Sequence, residues 1–262
     1  MISWLRIALS LSCLLAATLV LLPVQLVSLH FDWTLRRRIP RLWHRMACRM
    51  IGLHVRVHGT LEKRRPLMLA ANHASWKDIL VLGAIADVVY IAKSEVRDWP
   101  VFGLLARLQA SIFVVREEKR KTGEQVNEIG RRLADGEIVV LFPEGTTSDG
   151  NRLLEIKTSL FGAAATAASA APDSTVFIQP VSIAYTGVHG MAMGRYHRPI
   201  AAWPGDIEMM PHLMGILKEG ALDVDVDFGE MIAYGPSSNR KVVSRAVEAR
   251  IRKMLGDRLR GR

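Results

Sequence analysis

From Ile7 to Leu29 the chain carries no charged residue. Wound as a helix, such a stretch is about 35 Å long, enough to cross or embed in the apolar core of a bilayer. Pro23 and Gln25 lie within it, and a membrane helix tolerates both. A cleaved leader would have a shorter apolar region ending at a small-residue A-x-A site, and neither is present. The sequence therefore predicts that residues 1–52 form a retained membrane anchor followed by a basic helix. Arg36, Arg37, Arg38, Arg41, Arg45 and Arg49 come directly after the apolar run, and cations so placed keep that end on the cytoplasmic side. Pro40 suits the first turn of the second helix. Along it Arg37, Arg41, Arg45 and Arg49 share one face, while Leu42, Trp43, Met46, Met50 and Ile51 fall largely on the other. That is the pattern of a helix lying on an anionic membrane surface with Trp43 at the interface. A helix packed on the protein core with a solvated basic face has the same periodicity.

The net charge of +10 fits the same surface. It does not point to nucleic acid: the sequence has no zinc-ligand spacing, RNP-type aromatic motif or Gly-rich strand clamp, and much of the excess lies beside the anchor or near the C-terminus. Cys13 and Cys48 both lie in the N-terminal region, so neither a disulfide framework nor a cysteine metal cluster is expected.

Beyond residue 52 short Val- and Ile-rich runs alternate with helical stretches. "HVRVHG", "PLMLAAN", "VVYIAKS", "SIFVVR", "EIVVLFPEG", "VFIQPVSIAY" and "LDVDVDFGE" read as strands, mostly apolar on both faces. Helices are expected near 76–86, 99–108, 121–135, 157–171 and 238–257. The predicted fold class is α/β, a single mixed sheet flanked by helices over residues 53–262. Asp223, Asp225 and Asp227 suggest a calcium loop, but Phe228 and Tyr234 stand where an EF-hand needs glycine and glutamate. An outward row of carboxylates on an exposed strand is the expectation.

Of the eight histidines only His73 has aspartate five residues on, at Asp78. If "LMLAAN" is a strand and a helix begins near Ser75, the turn lets the carboxylate reach back to the ring. An aspartate on one ring nitrogen fixes the tautomer and stabilises the imidazolium while the other nitrogen takes a proton, which suits a general base for a hydroxyl. A satisfied structural histidine gives the same short pattern. Two further blocks bear on the choice. "LFPEGTTSDG" places Glu144, Gly145, Thr146 and Thr147 where the chain leaves a strand, the position at which α/β proteins carry functional loops. "SIFVVREEKR" ends a strand in Arg116, a fixed cation suited to an anionic headgroup. No G-x-S-x-G elbow occurs, which argues against a serine hydrolase.

Together these blocks resemble the glycerolipid acyltransferase family, the lysophosphatidate acyltransferases and their relatives. "NHASWKD" is similar to the family's H-x-x-x-x-D block. "KSEVRDWPVFGLLARLQASIFVVR" matches the second block at Lys93, Phe102, Gly103 and Arg116. "FPEGTTS" looks like the third and "IQPVSIAY", with Pro180, like the fourth. The resemblance covers about residues 50–190, in the family's order and spacing.

It implies an enzyme that moves an acyl chain from a thioester of acyl carrier protein or coenzyme A to the free hydroxyl of a lysolipid. His73 would be the base and Asp78 its partner, while Lys93, Arg116, Glu144, Gly145, Thr146 and Thr147 would line the substrate site. No cofactor or metal is expected, since a thioester is already activated. The implied location is the cytoplasmic face of a bacterial inner membrane. Two departures stand out. Thr147 occupies a place where members acting on lysophosphatidate commonly carry arginine, and Gln109 with Ala110 replaces a usual glycine. Losing a planar bidentate cation matters at a phosphate site. The expected acceptor is therefore lyso-ornithine lipid, as in related bacterial enzymes, with 1-acylglycerol 3-phosphate as the alternative. A thioesterase, or a lipid-binding protein that keeps the fold, are the remaining readings.

Overall fold

The computed structural model describes residues 2–114, 119–171, 173–205 and 207–261. In chain order its elements are α1 (Ile2–His30), α2 (Leu35–Ile51), β1 (Leu53–His58), β2 (Leu67–Ala71), α3 (Lys77–Ile85), β3 (Val88–Lys93), α4 (Phe102–Leu108), β4 (Ile112–Val114) and α5 (Lys119–Ala134). There follow β5 (Ile138–Leu141), α6 (Gly162–Ala170), β6 (Val176–Val188), β7 (Met191–Ala192), α7 (Arg198–Ala201), α8 (Met209–Glu219), β8 (Leu222–Phe228), β9 (Ile232–Tyr234) and α9 (Arg240–Leu259).

The strands form one mixed sheet in the order β1-β8-β6-β2-β5-β3-β4, with the short β7 and β9 also paired to β6. β2, β5, β3, β4 and β6 run parallel to one another, whereas β8 is antiparallel to β6. Side-chain alternation divides the core. Leu67, Leu69 and Ala71 pack with Ala47 and Cys48 of α2 and with Val81 and Leu82 of α3. Met68 and Ala70 pack on the opposite face with Leu133 of α5, Ala164 of α6 and Val247 of α9. Both faces of β2 are therefore covered, and all five of its residues are buried, which is why that strand is continuously apolar.

α1 and α2 are antiparallel and packed side by side. Arg6, Ser10, Thr18 and Gln25 form a polar stripe along α1 and use it up on the protein. Arg6 donates to the carbonyls of Leu217 and Lys218 on α8, Ser10 to Met50 O (3.0 Å), and Gln25 Nε2 to Leu108 O (2.5 Å) on α4. The opposite face of α1, including Leu9, Leu15, Leu19 and Val20, is bare. By length and composition α1 is able to cross a membrane.

Pro40 does not begin α2; it sits inside the helix, which starts at Leu35. The proline leaves the carbonyl of Arg36, four residues back, without its helical donor. Gln25 Nε2 donates to that carbonyl at 3.0 Å, so the interior proline is tolerated. Trp43 turns to α1 and donates to Thr18 Oγ1 (2.8 Å). Arg36 and Arg37 pair with the buried Glu137 (3.2 Å each), Arg41 faces Asp87 (3.7 Å), and Arg45 donates to Ala84 O (2.9 Å). Gly52 ends α2 at φ +83, and a Cβ there would lie 1.9 Å from Gly220 O, so only glycine makes the turn into β1.

Three further expectations change. The acidic row of β8 is not on an exposed strand, because β8 lies between β1 and β6. Asp225 accepts from Arg56 (3.0 and 2.8 Å) and Thr186 (2.5 Å) and is paired with His58 (2.7 Å); Asp227 accepts from Arg258 (2.8 Å). Burial raises the Asp225 carboxyl, but these donors hold it well below the usual carboxylate range. The helix expected from 99 begins at Phe102, after a 3₁₀ turn over Ser94–Asp98, and that expected from 157 opens as a 3₁₀ turn over Thr158–Phe161. The short α7 and α8 were not anticipated.

Candidate active site

β2 and β5 are parallel neighbours, so the turns leaving them, 72–76 and 142–148, emerge side by side at the C-terminal edge of the sheet. Two bonds lace these turns together around His73: its backbone N–H donates to Glu144 Oε1 (2.6 Å), and its carbonyl accepts from Ser148 N–H (2.8 Å). Glu144 Oε2 also accepts from Leu154 N–H (2.7 Å). Burial pushes the Glu144 carboxyl up to about 7, against the pull of these two N–H groups. The His73 ring stacks on Phe142, centroids 4.0 Å apart. Asn72 fixes the other side, donating to Ile183 O (3.0 Å) and accepting from Ile183 N–H (2.7 Å).

Asp78 lies in the first turn of α3 and reaches back, as the spacing required. Its Oδ2 receives His73 Nδ1 (2.8 Å), Ala74 N–H (2.7 Å) and Ser75 N–H (2.9 Å), and its Oδ1 receives the Tyr185 hydroxyl (2.8 Å). The carboxylate is wholly buried while the histidine side chain retains 17% exposure. In the neutral ring the hydrogen on Nδ1 is the one Asp78 accepts, and Nε2 is then the acceptor nitrogen. The pair has the form of a base with its orienting acid.

Several residues at the site carried no separate signal in the sequence. Tyr185 is one, 107 positions from Asp78, and burial next to that carboxylate raises its hydroxyl well above the ordinary range. Lys77 is another. It is fully buried, donates to Ser75 Oγ (2.7 Å) and Ala201 O (2.5 Å), and is pushed down to about 7 by burial although Asp78 favours its charge. The α7–α8 segment closes over this side: Trp203 N–H donates to Ala74 O (2.7 Å), and Trp76 Nε1–H to His212 Nδ1 (3.0 Å). Lys157 is the third. Its backbone N–H holds Pro143 O (2.8 Å), and a Cβ at Gly145, where φ is +71, would lie 3.0 Å from its ammonium. Position 145 thus favours glycine through its backbone, while the flexible lysine end would have to give only slightly to admit a Cβ.

Thr146 is exposed and Thr147 half-buried, one residue from the Ser148 contact to His73. Lys93 is exposed at the end of β3, two strands from β2 on the same edge. Arg116 lies outside the described residues, just beyond β4. No cluster able to hold a metal ion occurs among the described residues.

Comparison with known proteins gives the same reading. Residues 54–184 match the family described as Acyltransferase. The chain is 68% identical over 262 residues to a lyso-ornithine lipid O-acyltransferase of Rhizobium meliloti, covering all of this chain and 90% of that one. To the lyso-ornithine lipid O-acyltransferase of Brucella abortus it is 51% identical, covering all of this chain and 98% of the relative. The crystal structure of a 1-acyl-sn-glycerophosphate acyltransferase from Thermotoga maritima superposes with a TM-score of 0.67 at 21% identity, over 98% of this chain and 96% of that one, and so shares the fold. With the H-x-x-x-x-D pair assembled and the matched region spanning both turns at this edge of the sheet, this chain belongs to the acyltransferase family and is an enzyme of that class.

Proposed function

We propose that this acyltransferase esterifies lyso-ornithine lipid, using an acyl thioester of carrier protein or coenzyme A. The observation that carries the chemistry is His73 Nδ1 held at 2.8 Å by a fully buried Asp78, which leaves Nε2 as the ring's acceptor nitrogen. The lysolipid hydroxyl gives its proton to Nε2 as its oxygen attacks the thioester carbonyl. The C–O bond forms, the C–S bond breaks, and the imidazolium returns the proton to the departing thiolate. Proton transfer by a positioned base contributes typically 10²- to 10⁴-fold. Asp78 serves by facing the imidazolium as it forms.

The acceptor reading is supported by the names of the two full-length relatives and by Thr147. Position 147, one residue from the Ser148 contact to His73, is a threonine and itself supplies no guanidinium to grip a phosphomonoester. The packing of α1 bears on attachment. Arg6 holds α8 near one end and Gln25 holds α4 near the other, so α1 lies along the catalytic domain instead of projecting from it. We read α1 as embedded in one leaflet by its bare face, on the cytoplasmic side of the inner membrane, with the free arginines of α2 toward anionic headgroups.

The test is acyl transfer by the purified protein to lyso-ornithine lipid and to 1-acylglycerol 3-phosphate side by side. A preference of about ten-fold or more for the first is expected. A preference for the second would return the enzyme to phosphatidate synthesis.

A further inference from the structure

Exposed large apolar side chains are not confined to α1. Two further groups lie on segments that adjoin it, both at the catalytic edge of the sheet. The first follows β3: Trp99, Val101 and Leu104 are exposed, Val101 to 67%. The second follows β6: Ile200, Ile207 and Met210 are exposed, on the segment whose Trp203 N–H holds Ala74 O beside His73.

Both groups are tied to opposite ends of the same helix. Gln25 donates to Leu108 O at the end of α4. Arg6 donates to Lys218 O (2.9 Å) at the end of α8, and the Lys218 ammonium lies 5.2 Å from the Trp4 ring centroid. α4 thus meets α1 near one end of it through its last residue, and α8 meets it near the other end through its last turn, so the two apolar groups sit at the far ends of helices anchored on α1. Val101 adds an independent sign. It is a β-branched residue at φ +63 and ψ −57, a conformation that costs such a side chain strain. A water-facing turn would be more stable with glycine there. An apolar side chain held out at that cost is explained if it enters lipid.

We propose that the bilayer contacts this protein through a three-part apolar rim: the outer face of α1, the turn bearing Trp99, Val101 and Leu104, and the α7–α8 segment bearing Ile200, Ile207 and Met210. The two outer parts press the catalytic edge onto the leaflet, so that a lysolipid passes to His73 without crossing water. This inference rests on the reading that α1 lies in one leaflet.

The test uses the full chain with Val101→Asp, Met210→Asp and Val101→Gly. Transfer is measured to lyso-ornithine lipid in phosphatidylglycerol/phosphatidylcholine vesicles, and to a short-chain lyso-ornithine lipid dissolved below its micellar concentration. Flotation with the same vesicles is measured in parallel. Each aspartate variant is expected to lose about ten-fold on the vesicle substrate, the scale of one large apolar side chain withdrawn from lipid, and less than two-fold on the dissolved one. Val101→Gly is expected to raise the unfolding temperature while lowering vesicle activity. Equal losses on both substrates, or no loss on vesicles, would overturn the rim even though the wild type floats. A wild type that does not float would overturn the reading of α1 and the rim with it.

Discussion

Replacing Asp78 by asparagine separates two things a carboxylate does for a histidine, and the structure predicts which survives. Where nothing else fixes the side chain, an asparagine presents its NH₂ to the ring and forces the wrong tautomer, and losses near 10⁴-fold result. Here the Oδ2 position also accepts Ala74 N–H at 2.7 Å and Ser75 N–H at 2.9 Å. Two backbone donors require an oxygen there, so the amide group must point its NH₂ to the other side. On that side the Tyr185 hydroxyl, 2.8 Å away, accepts instead of donating by rotating its proton. His73 Nδ1–H keeps its acceptor and Nε2 stays free. What is lost is the negative charge facing the imidazolium. A charge-assisted bond exceeds a neutral one by about 1–2 kcal/mol, and unit charges about 4 Å apart at an effective dielectric of about 20 interact by about 4 kcal/mol. The loss in kcat is then roughly 2–4 kcal/mol, or thirty- to a thousand-fold. The assay is kcat for acyl transfer, with thermal unfolding and nitrogen NMR of the histidine tautomer on the same variant. A loss of 10⁴-fold or more with the flipped tautomer would refute the argument that the backbone donors pin the oxygen.

Glu144 gives a pH signature. Its folded pKa of about 7 exceeds the ordinary 4.5, so the folded state binds the extra proton, and stability falls as pH rises from about 4.5 to about 7, by up to ~3 kcal/mol. Glu144→Gln should flatten that slope in thermal unfolding while lowering stability by about 1–3 kcal/mol, because one of two backbone donors loses its acceptor. Tyr185→Phe leaves Asp78 Oδ1 buried without a donor and should cost about 1–3 kcal/mol by denaturant unfolding, with a smaller effect on rate than Asp78→Asn. Thr147→Arg should raise the rate on 1-acylglycerol 3-phosphate relative to lyso-ornithine lipid by roughly ten- to a hundred-fold, the value of a charge-assisted phosphate contact; equal ratios in both proteins would show the position to be neutral.

The parallel strands were legible because burial on both faces favours apolar runs: β2 and β5 are unbroken, and β6 is mostly apolar despite Gln179 and Ser182. His73 and Asp78 were legible because a turn joins them over five residues. Contacts brought together by the tertiary fold were not. Tyr185 reaches Asp78 and Trp203 holds Ala74, each from far along the chain, and Gln25 rescues the carbonyl freed by Pro40 across the turn between α1 and α2. α8 was hidden by its own sequence, since Pro211 and Gly215 are residues that normally interrupt a helix; packing of Ile216 and Leu217 into the core outweighs that preference. The acidic row of β8 reads as a solvated face until Arg56, His58 and Arg258 are placed opposite it.

The central claim is that His73 activates a lipid hydroxyl for attack on an acyl thioester. Its most direct test follows labelled acyl thioester incubated with purified enzyme, wild type or His73→Ala, in the presence and absence of lyso-ornithine lipid. The wild type should place the label in ornithine lipid only when the acceptor is present, with little free fatty acid, and His73→Ala, folded and membrane-bound, should transfer 10²- to 10⁴-fold more slowly. Free fatty acid as the main product, or transfer by His73→Ala at the wild-type rate, would contradict the account.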